Sequence, residues 1–249
     1  MRAAMSGIRL FVGADLGAGA TVALDAGQAH YVRNVMRAGV GDPVVLFNGR
    51  DGEWTAALTG LGKQAAEAQV ARQTRPQAPE PDVWLAFAPL KRGAVDSLVE
   101  KTTELGVARL LPVLTRRTNA ARVNLDRLRA HAVEAAEQCE RLSVPDMADP
   151  VRLDALTADW PPNRRLVVCD ERGDAPPIAA ALGNLPPGPT AVLVGPEGGF
   201  EGAELDSLDQ LPFVTRVGLG PRVLRADTAA LAALAIIQAL AGDGDRRPE

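Results

Sequence analysis

At 249 residues, 47% of them apolar, the chain is long enough for one catalytic domain with an accessory module, and its composition excludes a largely disordered protein. A formal net charge of -4 excludes indiscriminate coating of nucleic acid, which rests on neutralising phosphates, and leaves room for a local basic site. The two cysteines, Cys139 and Cys169, sit outside any C-x-x-C spacing, and the two histidines, His30 and His131, leave a zinc site or a Ser-His-Asp triad few residues to draw on, so no metal is expected and both thiols are expected to be buried.

The N-terminal third reads as short apolar runs parted by glycines: Leu10-Phe11-Val12, Val44 to Phe47, Trp54 to Leu58, and an alternating run near Val70. These predict the strands of a small barrel, with Asn48-Gly49 and Asp51-Gly52 as turns and one helix from Ala29 to Met36. Up to Arg75 there are eight Lys and Arg against six Asp and Glu, whereas the remainder is acidic, which points this part weakly towards RNA. The run Arg75-Pro76-Gln77-Ala78-Pro79-Glu80-Pro81 has little to bury and predicts a linker, so domains of 1–75 and 76–249 are expected.

Beyond the linker, apolar strands alternate with helices. Val83 to Ala88 is an unbroken apolar strand of the kind buried on both faces, which implies a parallel sheet. A helix from Ala94 to Leu105 presents Val95, Leu98, Val99 and Thr102 on one face and stops at Gly106. The strand Arg109 to Leu114 precedes a long helix with Leu125, Leu128, Ala132, Ala135, Cys139 and Leu142 at spacings of three and four, ended by Pro145. Strands at Leu166 to Cys169, Ala191 to Val194 and Val214 to Leu219, with helices at Gly202 to Leu208 and Thr228 to Leu240, complete an α/β fold with a parallel sheet. The apolar run from Ala229 to Ile237 is shorter than the roughly 20 residues of a membrane span, and Met1 to Gly7 lacks a signal-peptide pattern, so a cytoplasmic protein without membrane partners is expected. The polar residues from Gly242 to Glu249 are expected to be a frayed tail.

Two loops carry the chemistry. Leu193-Val194-Gly195-Pro196-Glu197-Gly198-Gly199 is a buried strand running into three glycines and a proline, where a ligand can approach the backbone closely. It lacks the Gly-Lys-Ser/Thr ending of a phosphate loop and the G-x-G-x-x-G of a dinucleotide fingerprint. Leu219-Gly220-Pro221-Arg222-Val223-Leu224-Arg225 is a second such strand end, now with two arginines, followed by Asp227 or Thr228 as a helix cap. Two Gly-Pro loops at strand ends of one sheet suggest a shared crevice.

At these residues the chain resembles the ribosomal RNA small subunit methyltransferase E family of the trefoil-knotted (SPOUT) superfamily. The resemblance spans nearly the whole length and rests on Arg9-Leu10-Phe11, His30-Tyr31-Val32-Arg33-Asn34-Val35-Met36-Arg37, Lys101-Thr102-Thr103-Glu104-Leu105-Gly106-Val107, Glu137-Gln138-Cys139, Gly195-Pro196-Glu197-Gly198-Gly199 and Leu219-Gly220-Pro221-Arg222-Val223-Leu224-Arg225. One departure is Ala226-Asp227, where the family usually carries threonine and glutamate. The resemblance implies a knotted C-terminal domain behind a PUA-like barrel, a homodimer, and methyl transfer from S-adenosylmethionine to N3 of one uridine of 16S rRNA in the small ribosomal subunit.

With the methyl group already activated by the sulfonium, the protein's task is positioning and electrostatics. The cofactor would lie against the backbone of Leu193, Val194, Gly195, Pro196, Gly198, Gly199, Leu219, Gly220, Pro221 and Leu224, with Arg225 or Arg222 stabilising the uracil anion. Arginine stays protonated and is no base; Glu197 either accepts the proton or caps the following helix. Arg9, Arg33, Arg37, Lys91 and Arg92 are the expected RNA contacts, of which Arg33 and Arg37 are one helical turn apart. Few aromatics, 4%, argue for recognition of a structured RNA surface over base stacking. The competing readings are another knotted methyltransferase acting on tRNA or another rRNA nucleotide, a non-catalytic RNA-binding assembly factor, and a small-molecule α/β enzyme.

Overall fold

The structure, a computed structural model, describes residues 7–119, 123–183 and 188–244; the expected tail lies outside them from residue 245 on. By compactness the chain divides into two units: one runs to Pro79 and takes in Ala136–Val144, and the other holds Glu80–Ala135 and everything from Pro145.

The first unit is a five-stranded sheet, β1 (Ile8–Phe11), β2 (Thr21–Leu24), β3 (Pro43–Phe47), β4 (Glu53–Leu61) and β5 (Ala66–Arg75), in the order β1-β3-β4-β5-β2. Alternation along β5, with Ala66, Ala68 and Val70 buried, sends one face onto a core with Leu10, Val22, Leu46 and Leu58. The β3–β4 hairpin turns at Asn48, whose side chain accepts the amides of Arg50 and Asp51 at 3.0 and 2.8 Å. Helix α1 (Ala26–His30) starts with a capping box between Asp25 and Gln28. The expected helix to Met36 is not uniform: Tyr31–Val35 is π-helical, Met36 N–H donating to Tyr31 O at 3.0 Å, and Arg37 has left the helix at φ 55°. Strand β2 carried too short an apolar signal to be expected.

The second unit is built on a parallel sheet of β6 (Val83–Phe87), β7 (Arg109–Leu114), β8 (Asp146–Met147), β10 (Arg165–Cys169), β11 (Thr190–Val194) and β12 (Val214–Val217), in the order β12-β10-β11-β6-β7-β8, with β9 (Val151–Arg152) added to β7. Helices α2 (Arg92–Glu104) and α7 (Ala226–Ala241) pack together, and α7 also packs on β10 and β11. Gly106, at φ 79°, ends α2 as a left-handed cap. Helices α4 (Leu153–Ala158) and α6 (Gly202–Asp209) contribute Leu153, Leu205 and Leu208 to a core with Leu166, Val168, Ala191 and Leu193. Helix α5 (Ile178–Leu182) lies beside α7 and β12. Covered strands explain the unbroken apolar runs.

Helix α3 (Leu125–Gln138) starts at Asn124, whose side chain accepts the Arg127 amide at 3.1 Å. It ends seven residues before Pro145, because Glu140 adopts φ 61°. The expectation of two buried thiols fails there: Cys139, beyond the helix end, is exposed, and only Cys169 is buried. Among the described residues no helix is long and apolar enough to cross a membrane.

Candidate active site

Strands β10, β11 and β12 end side by side, and the three loops that leave their carboxyl ends line one cavity of about 1160 Å³. The loop after β11 contributes Val194 to Gly199, and the loop after β12 contributes Gly218 to Arg225. The Leu193 side chain points into the core, because alternation along a strand sends neighbouring side chains to opposite faces, and this leaves its backbone, the part expected at the cofactor, as what Leu193 can offer.

Close packing dictates the glycines of the β11 loop. A Cβ on Gly195 would meet the Phe200 ring at 3.0 Å, and one on Gly199, at φ 68°, would fall 1.9 Å from Glu171 Oε1. Arg117 Nη1 donates to Gly198 O at 2.9 Å, a brace that no motif announced. In the β12 loop, the backbone amides of Leu219, Gly220, Val223 and Leu224 have no hydrogen-bond partner among the described residues and remain available to a ligand. Arg222 and Arg225 are exposed and make no ion pair among the described residues.

Glu197 does not cap the following helix. Helix α6 is capped by its own box of Glu201 and Glu204, and the Glu197 carboxylate faces the start of α2, within 3.4 Å of the Lys91 amide. Asp227 and Thr228 are not caps either: Arg225 occupies the cap position of α7, and Asp227 accepts the Thr228 amide at 2.8 Å.

Sequence reasoning missed the third wall, the loop from Cys169 to Pro177, although its Asp170-Glu171-Arg172-Gly173-Asp174 follows an apolar strand directly. The Asp170 side chain is wholly shielded from solvent and pairs with Arg216 of β12 and with Arg172 at 3.3 Å. Arg216 also reaches Asp174 at 3.1 Å and Asp209 at 2.6 Å. Burial alone would raise the Asp170 carboxyl, but the Arg172 amide and the two guanidiniums outweigh it and hold the group below the usual carboxylate range. Cys169 is no nucleophile: burial, then the charge of Glu171, pushes its thiol up to about 12.

The expected RNA cations separate. Arg9 is half-buried: it pairs with Glu53 at 3.0 Å, donates to the carbonyls of Ala136 and Arg141, and stacks 3.7 Å from the Phe47 ring centroid. Three of its five N–H groups are thus committed within the chain, which leaves Arg9 less free to meet phosphate than the sequence alone suggests. Arg33 and Arg37 are exposed. Lys91 is exposed at the cavity rim, whereas Arg92 opens α2 and its side chain is outside the described residues.

The fold and the site define an RNA methyltransferase: a sequence pattern described as an RNA methyltransferase domain matches residues 77–238, and one described as an RNA methyltransferase PUA domain matches residues 24–71. The ribosomal RNA small subunit methyltransferase E of Rickettsia conorii is 31% identical over 214 residues, 86% of this chain and 87% of its own. That of Synechocystis sp. is 34% identical over 226 residues, 89% of this chain and 74% of its own. Among solved structures, the enzyme of that name from Neisseria gonorrhoeae, bound to S-adenosyl methionine, superposes with a TM-score of 0.86 at 28% identity over 96% of this chain and 99% of its own. The chain belongs to the ribosomal RNA small subunit methyltransferase E family.

Proposed function

We propose that this chain transfers a methyl group from S-adenosylmethionine to N3 of one uridine of 16S rRNA in the small ribosomal subunit, acting as a homodimer with a trefoil-knotted catalytic domain. The observation that carries the reading is the cavity itself, where free backbone amides and two unpaired arginines meet at the ends of three parallel strands. The residues present fit the cofactor: glycines let its nucleoside reach the backbone, and the unpartnered amides of the β12 loop can bind its base. The exposed Val223, beside both arginines, offers an apolar contact to a second copy.

The cofactor, when bound, supplies a methyl carbon already activated by sulfur. The chain's own residues hold the uracil ring in line with it and manage charge. Arg225 and Arg222 stabilise the negative charge that grows on the uracil oxygens as N3 gives up its proton. Glu197, at the rim and free of arginine, takes that proton, so N3 loses hydrogen as it gains carbon. Arg33 and Arg37 of the PUA-like unit, with Lys91 and Arg92 of the catalytic unit, meet RNA phosphates.

The deciding experiment is methyl transfer from labelled S-adenosylmethionine to small subunits lacking the modification, with free rRNA and tRNA alongside, followed by nucleoside mass spectrometry. The expected product is 3-methyluridine in the small subunit only. Label in tRNA or in another nucleoside would overturn the substrate and keep the enzyme class.

A further inference from the structure

The cavity holds two carboxylates that no arginine pairs with among the described residues, Glu197 at the rim and Glu171 on the β10 loop. Glu171 accepts no hydrogen bond and joins no ion pair among the described residues, although Arg172 follows it directly. Arg172 is committed elsewhere, to Asp170 at 3.3 Å and Asp206 at 3.8 Å. The neighbouring carboxylate of Asp170 is neutralised by that arginine and by Arg216, which also takes Asp174. The other carboxylates of this loop are thus paired, while Glu171 stands at the wall without an ion pair among the described residues.

Its backbone is anchored, and its side chain is exposed at the cavity wall. The Asp170 clamp fixes the backbone immediately before Glu171, whose Oε1 lies 1.9 Å from where a Cβ of residue 199 would be, which places the carboxylate beside the β11 loop. Glycine at 199 leaves that space to the carboxylate, and it is φ 68° that makes glycine the residue this backbone favours. A carboxylate held unpaired against a ligand cavity calls for a cation from the ligand.

We infer that Glu171 is a cofactor-binding residue that receives a positive centre of S-adenosylmethionine. This rests on the proposed cofactor. Two centres share that chemistry, the sulfonium and the α-ammonium, and they can be separated, because S-adenosylhomocysteine keeps the ammonium and lacks the sulfonium charge. By contrast with Arg225, Glu171 acts on binding and not on the charge that develops in RNA.

The test is isothermal titration of the full chain and of Glu171→Gln with both ligands. A charge-assisted contact predicts a loss of roughly ten- to hundredfold in affinity for S-adenosylmethionine. Loss for both ligands assigns the ammonium, and loss for S-adenosylmethionine alone assigns the sulfonium. Unchanged affinity for both overturns the inference and leaves the cofactor reading standing. A parent chain that binds neither ligand overturns the cofactor reading itself, and the inference with it. Glu171 is exposed, so the variant folds as the parent does, and equal unfolding midpoints without ligand verify this.

Discussion

Arg216 on β12 ends on the buried carboxylate of Asp170, and the same guanidinium reaches Asp174 and Asp209. One arginine thereby ties the wall that carries Glu171 to the strand that leads into the Arg222 and Arg225 loop. Arg216→Ala leaves Asp170 with Arg172 alone, and the loss of a partner from a buried pair costs about 3–5 kcal/mol. Urea unfolding measures it. Arg216→Lys recovers only part of that loss, because an ammonium cannot serve three carboxylates in the plane of a guanidinium.

Asp170 also makes stability depend on pH in a stated direction. Its folded carboxyl titrates below the unfolded value of about 3.9. The stabilisation is therefore complete above that unfolded value and is lost as pH falls through the lower, folded one. The unfolding midpoint of the parent should fall steeply below about pH 4, whereas Asp170→Asn should start lower at neutral pH and fall less in that window. Parallel curves for the two proteins would contradict the assignment.

Arg9 and the pair Arg33 and Arg37 should separate cleanly under substitution. Arg9→Ala strips a half-buried carboxylate, two carbonyls and an aromatic face of their partner, and should destabilise the chain by about 3 kcal/mol, with Arg9→Lys no rescue. Arg33→Ala and Arg37→Ala should leave stability within about 0.5 kcal/mol. Each should lower the dependence of RNA binding on salt by about one phosphate contact, read from the slope of log affinity against log salt.

Arg225→Ala should leave cofactor affinity within about twofold and reduce kcat by roughly a hundredfold or more, as loss of a group that stabilises developing charge does. Single-turnover methylation beside calorimetry makes the comparison. A weakened cofactor with unchanged kcat would move this arginine from the RNA side of the cavity to the cofactor side.

Much of the catalytic unit was legible because buried parallel strands write themselves as apolar runs, and because glycine and proline at strand ends are visible without a structure. The β11 and β12 loops were found in this way. The β10 loop was not, since Asp170-Glu171-Arg172 looks like any charged turn until Arg216, 46 residues later, is seen to neutralise Asp170. Arg9 misled for the same reason: an arginine beside Leu10-Phe11 reads as a surface cation, and its carbonyl partners are 127 and 132 residues away. The π-helical stretch after His30 has no periodicity of its own that would set it apart from an α-helix, so Arg33 and Arg37 were placed on one helical face that the backbone does not provide.

The passage of Ala136–Val144 into the first unit makes the PUA-like unit discontinuous in the chain. A fragment cut after Pro79 would retain all five strands and yet leave Arg9 without two of its acceptors and the Phe11 amide without the Glu137 carboxylate, which it meets at 2.9 Å. Those partners come from the end of a helix that begins in the methyltransferase unit and, for Arg141, from the residues just past it. The PUA-like unit is therefore not a cassette: it cannot be exchanged between relatives by joining sequences at the linker, and a graft that preserves its interior must carry the end of α3 along with it.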